Sequence, residues 1–172
     1  MAIKRILAFL ADYIVIAAYI GLLILVNYSN APSDLAVPTE ASGKIAGHAI
    51  GFVTLTLPVF LYFTVFEASP WAATPGKKLL GVRIVATNGE RLSRGRVAIR
   101  NAIKLLPWEL AHAAIWHVPG RPLLDPMPMP NLTLAMASNL AVALFILMLF
   151  FGGGRTLYDR ISGTHVISAR RP

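Results

Sequence analysis

Residues 132–151 hold no charged side chain, and a run of about 20 mostly apolar residues is what a helix needs to cross roughly 30 Å of hydrocarbon. Two more stretches reach that length. Residues 6–26 are interrupted only by Asp12, and residues 45–66 carry His48 near their start, Pro58 inside and Glu67 just beyond. The whole chain agrees: 56% of its residues are hydrophobic and 14% are charged, whereas a soluble domain carries about 25% charged residues. A membrane protein of 172 residues has room for one domain of three or four short-looped helices and none for a separate soluble catalytic domain. The absence of cysteine excludes disulfides, thiolate metal sites and cysteine nucleophiles.

A fourth stretch, 97–118, is marginal by hydropathy because it carries Arg100, Lys104, Glu109, His112 and His117. Charge placement argues that it crosses. Of the 16 basic residues, all but Lys44 and Arg121 fall before the first span, between residues 77 and 104, or after residue 151. Lys and Arg favour the cytoplasmic side, and the tail reaches that side only if the number of crossings is even. Four crossings with both termini inside are therefore expected, with Arg100 and Lys104 snorkelling to the inner interface and Trp116 at the outer one.

The basic start followed by an apolar run superficially resembles a signal peptide. The run is too long and contains Asp12, and Pro32 follows the Ser29-Asn30-Ala31 cleavage-like site, so the segment reads as a retained helix. Residues 27–44, with Pro32 and Pro38, and residues 119–130, with five prolines, read as irregular outer connectors. On the other side, Asn88-Gly89 lies between two short β-prone runs, the strongest local signal for a two-residue hairpin. A small cytoplasmic hairpin is expected there.

Arg5 and Asp12, the run Thr74-Pro-Gly-Lys-Lys-Leu-Leu-Gly-Val-Arg-Ile-Val, the pair Arg100-Asn101, and Tyr158-Asp-Arg-Ile-Ser-Gly-Thr-His-Val-Ile resemble the RDD family of bacterial membrane proteins, named for an arginine and two aspartates. The resemblance covers nearly the whole chain and is poorest in the outer loops and over 105–131. By position it makes Arg5 the arginine, Asp12 the first aspartate and Asp159 the second. It implies a multi-pass protein of the bacterial inner membrane with a transport-related role, some members being associated with sodium/proton exchange.

The residues pose their own question at Asp12. Seven residues of helix place it about 10 Å deeper than Arg5, where an aspartate at a helix centre costs roughly 2.5–3.5 kcal/mol and needs an inward-facing partner. Arg5, Asp12 and Tyr19 share one helix face, and Arg5 is long enough to bridge Asp12 and Asp159. Two readings stay open: a proton or cation carrier at Asp12, or a clasp that ties the first helix to the tail.

Other polar residues in the spans are candidates for lining a pathway. They are Tyr19, His48, Tyr62, Glu109, His112 and Asn139, the last also a plausible interhelical glue. Pro58 frees a backbone carbonyl in mid-span. Glu109 and His112 have the spacing of a bundle metal ligand pair, but no second pair accompanies them, so no metal and no cofactor is expected. Lys77, Lys78, Arg96, Arg100 and Lys104 are expected at anionic lipid phosphates. A nucleic-acid partner is not expected, because topology already explains the basic charge.

No nucleophile triad or nucleotide fingerprint occurs, so the reading excludes an enzyme. It is an all-α integral membrane protein forming a single transmembrane domain over 1–172. A four-helix bundle, its third span marginal, carries a small β-hairpin between the second and third helices. The expected role is movement of a small solute or monovalent cation, cation/proton exchange included, in a homo-oligomer. The alternative is a non-transporting scaffold that binds anionic lipid or a partner protein through its basic face.

Overall fold

A computed structural model describes residues 1–30, 40–120 and 125–169; Pro32, Pro38, Arg121, Pro122, Arg170 and Arg171 lie outside them. Three helical stretches are long and apolar enough to cross a membrane: Ala2–Val26, Ala41–Ala68 and Met129–Phe151. They match the three apolar runs in order. The first belongs to α1 (Ala2–Asn30), the second comprises α2 (Ala41–Gly51), one π-helical turn (Phe52–Thr56) and α3 (Leu57–Ala68), and the third is α6. The helices run further into the first connector than the sequence suggested. Pro130, assigned above to the second connector, instead lies in the first turn of α6, where its missing N–H would have no intrahelical partner anyway.

The marginal segment is α5 (Arg94–Trp116), capped by the Ser93 hydroxyl, which accepts from the Arg96 backbone. At 23 residues it is about 34 Å long, and it runs antiparallel to both of its main neighbours. Along the second stretch, Trp116 packs on Gly47 and Gly51, Glu109 meets Thr56, and Arg100 meets Glu67. A Cβ at Gly47 would lie 2.4 Å from the Trp116 ring, so glycine sets how closely these helices approach. Along α6, Asn131 donates to the Ala114 carbonyl at 2.9 Å and Ser138 to the Pro107 carbonyl at 2.6 Å.

The mid-span proline has a consequence for α1. Pro58 offers no N–H to the Thr54 carbonyl four residues back, and the Tyr19 hydroxyl donates to that carbonyl at 2.6 Å. The π-helical turn immediately precedes this point, as helix irregularities commonly do where the backbone ladder is interrupted.

At the end of the molecule bearing the N-terminus, α4 (Pro75–Leu79), α7 (Leu157–Ile161) and a two-stranded sheet close the bundle. The local hairpin expected around Asn88-Gly89 does not form. The turn itself is present, with Gly89 at φ +83° and Ala86 N–H donating to Glu90 at 3.0 Å, but β1 (Val82–Ala86) pairs antiparallel with β2 (Thr164–Ser168), from the tail. The reason lies in composition. Glu90, Arg91 and Ser93 are exposed beyond the turn, whereas Thr164, Val166 and Ile167 supply the β-branched side chains that suit a half-buried strand. Val82, Ile84, Ala86 and Val166 then pack with Ala8, Leu92 and Val97 in an apolar core.

Candidate functional site

Thr74 caps α4 by accepting from the Lys77 backbone N–H at 3.3 Å and places that short helix against α1. Gly76 is required at the contact: a Cβ there would lie 2.2 Å from the Ala8 carbonyl oxygen and 2.8 Å from the Asp12 carboxyl. The approach delivers two donors to Asp12, and Tyr62 of α3 adds a third. Gly76 N–H donates at 2.8 Å, Tyr62 hydroxyl at 2.9 Å and Thr74 hydroxyl to the second oxygen. Asp12 is 1% exposed, and all three of these partners are neutral.

Arg5 does not bridge the two aspartates. Its guanidinium turns to the tail, donating to Asp159 at 2.6 Å, to the Tyr158 hydroxyl at 3.4 Å and to the Gly154 carbonyl. Two turns of helix separate Arg5 from Asp12, and acceptors at the tail are close enough to satisfy the guanidinium without reaching along α1. The expected triad is thus two sites.

The centre of the second site is Arg100, 1% exposed. It donates to both Glu67 oxygens at 3.2 and 3.0 Å and to Asp159 at 3.2 and 3.0 Å, joining α3, α5 and α7. Glu67 also accepts from Asn101 at 3.0 Å and from Lys77. Asp159 further accepts from the Thr156 backbone at 3.0 Å and its hydroxyl at 2.9 Å in a capping box. Burial alone would raise the Asp159 carboxyl, but Arg100, Arg5 and the Thr156 N–H hold it at about 2. Burial draws Lys77 below the ordinary lysine value, with Glu67 opposing.

Lys77 and Arg100 were expected at lipid phosphates, and the structure corrects this. Both are buried against carboxylates, because an opposite charge fixed by the fold offsets the cost of burying a cation. Lys104 also turns inward, its ammonium over the Phe63 ring and 4.0 Å from Glu67. Lys78 and Arg96 are exposed, Lys78 resting on the Trp71 ring.

The expected pathway residues do not form one line. His48, Glu109 and His112 do come together at the far end of the bundle. His48 Nε2 is 2.9 Å from Glu109, Thr56 donates to Glu109 at 2.7 Å, and His112 is 3.7 Å from it. His117 joins them, 3.1 Å from His48. Tyr62 belongs instead to Asp12 and Tyr19 to the Thr54 carbonyl. Asn139 is exposed and donates to the Ala135 carbonyl of its own helix at 2.8 Å. Among the described residues, no group of three or more His, Asp or Glu side chains is arranged to hold a metal ion.

Between α1 and α6 lies a cavity of about 390 Å³. Phe9 and Leu10 of α1 and Val142, Phe145, Ile146 and Leu149 of α6 form its apolar walls, and Arg5, Asp12, Lys77, Arg100, Lys104 and Tyr158 form its polar end. No local pattern of residues announces it, because it arises from a gap between α1 and α6, helices far apart along the chain.

The sequence model of the RDD family matches residues 1–163. The chain belongs to the RDD family. None of the curated proteins and none of the solved structures matches it. In this RDD protein the arginine and two aspartates singled out from the resemblance are all buried, but only Arg5 and Asp159 pair. Glu67 and Arg100 complete the cluster. Their signal was a lone glutamate at the end of one apolar run and an arginine inside the marginal one.

Proposed function

We propose that this RDD protein crosses a bacterial cytoplasmic membrane four times, with both termini and the β1–β2 sheet on the cytoplasmic side, and moves a small solute by way of the cavity between α1 and α6. The length of α5 and its antiparallel packing support a fourth crossing, and the clustering of basic residues at the sheet end supports the orientation. The observation that carries the reading is the cavity itself, an apolar chamber with a charged end inside a helix bundle. Four cationic side chains and one carboxylate line it, which favours an anionic solute over a free cation. The protein acts as a carrier and not as an enzyme, and a homo-oligomer supplies the remaining wall of the pathway.

Cation/proton exchange is the second reading, favoured by Asp12, whose carboxylate hydrogen-bonds neutral donors. Reconstituted vesicles separate the two. Uptake of hexyl phosphate supports the solute reading, whereas proton flux that answers to sodium, lithium or potassium and is lost in a folded Asp12→Asn protein supports exchange. Absence of both from folded protein overturns transport and leaves a scaffold acting through the exposed basic face.

A further inference from the structure

The cationic side chains at the polar end of the cavity are not equally engaged. Arg5 hydrogen-bonds Asp159, Arg100 hydrogen-bonds Glu67 and Asp159, and Lys77 hydrogen-bonds Glu67. Lys104 is different. Glu67 is the one carboxylate within 4.0 Å of its ammonium among the described residues, at the limit of that distance and beyond hydrogen-bond reach. Glu67 already accepts from Arg100, Asn101 and Lys77. Asp12 bonds only neutral donors, so the four basic side chains share the two carboxylates of Glu67 and Asp159, and among the described residues Lys104 is the one of the four with no hydrogen-bonded counter-ion. A lysine so placed, over the Phe63 ring on the wall of a cavity and largely removed from water, is best held in its charged form by an anion beside it.

The rest of the cavity says what carries that anion. Its walls are alkyl and aromatic, and Phe9, Leu10, Val142 and Ile146 are each about half exposed (49%, 50%, 45% and 48%), so the cavity opens sideways on the apolar surface of α1 and α6. A ligand entering there arrives from the bilayer and not from water. We infer that the cavity holds an anionic phospholipid, one acyl chain lying between α1 and α6 and the phosphate held by the Lys104 ammonium. This rests on the reading of the cavity as the protein's solute site and names the class of solute.

The test is native mass spectrometry of the full chain in detergent, offered phosphatidylglycerol, phosphatidylcholine or inorganic phosphate. The wild type is expected to retain phosphatidylglycerol at least fivefold over phosphatidylcholine. Lys104→Gln should remove that preference while neutral lipid is still retained, Lys104→Arg should keep it, and Ile146→Trp, which fills the chamber, should abolish retention of both lipids. Arg83→Gln, on the exposed face of β1, should change nothing. Displacement of the lipid by millimolar inorganic phosphate would reassign the site to free phosphate. Equal retention of the two lipids, or a preference that follows Arg83, overturns the inference alone. Unchanged retention in Ile146→Trp, or a dimer that retains no lipid of either kind, overturns the cavity as a solute site as well.

Discussion

The backbone N–H of Gly76 meets the carboxylate of Asp12 at 2.8 Å, at a place where no other residue fits. The contact joins a short cap helix to the first span and gives the buried aspartate one of its three donors. Gly76→Ala is expected to destabilise the protein by about 2–4 kcal/mol, since the new methyl meets backbone on one side and carboxylate on the other. Tyr62→Phe, which removes a single donor, should cost about 1–2 kcal/mol. Thermal unfolding in detergent, followed by near-UV circular dichroism, measures both, and equal losses would contradict the role given to Gly76.

Arg100 touches two carboxylates, whereas Arg5 touches one. Arg100→Met is therefore expected to be the most damaging single change in the cluster, about 3–5 kcal/mol, because Glu67 and Asp159 both lose a buried counter-charge. Arg5→Met should cost less, since Arg100 still compensates Asp159. Adding Glu67→Gln to Arg100→Met should recover part of the loss. Unfolding midpoints of the four proteins decide it.

Asp159 makes stability depend on acid. Its carboxyl is held at about 2 in the folded protein against an ordinary 3.8. A carboxyl depressed on folding contributes stability above its unfolded value and loses that contribution as pH falls toward its folded value. The contribution is on the order of 2 kcal/mol, full above about pH 5 and lost between about pH 4 and 2. Asp159→Asn should be less stable at neutral pH and show a flatter acid profile. An unchanged slope in that variant would assign the acid sensitivity to other carboxylates.

Tyr19 and Pro58 form a testable pair. Tyr19→Phe removes the hydroxyl donor from the Thr54 carbonyl and should cost about 1 kcal/mol. Pro58→Ala restores a backbone N–H four residues on, so in that background the same change should cost markedly less. A double-mutant cycle on unfolding free energies reads the coupling, and additive losses would show that the two residues act independently.

The spans were legible because apolar runs of sufficient length have one physical explanation, and the buried Asp12 announced itself by its cost in hydrocarbon. Its partners were not legible. Tyr62, Thr74 and Gly76 lie 50 or more residues away, and nothing local distinguishes the hydroxyl that turns inward. The Asn88-Gly89 turn was visible, yet the strand that pairs with β1 begins at Thr164, beyond the reach of any local pattern. Lys77 and Arg100 looked like interface cations because a sequence shows how basic a segment is without showing which carboxylates the fold will bring to it.

The pairing of β1 with β2 also sets an order of events during synthesis. Val82 is made long before its partner Ser168, and Arg5 long before Asp159, 154 residues later. Until residues 154–168 emerge from the ribosome, neither the strand edge nor the guanidinium has its final neighbour. Residues 154–168 therefore complete the strand pair and the Arg5 and Arg100 contacts together. A nascent chain arrested short of them would have its long helices but an open seam, with the β1 edge unpaired and the Arg5 guanidinium without its carboxylate.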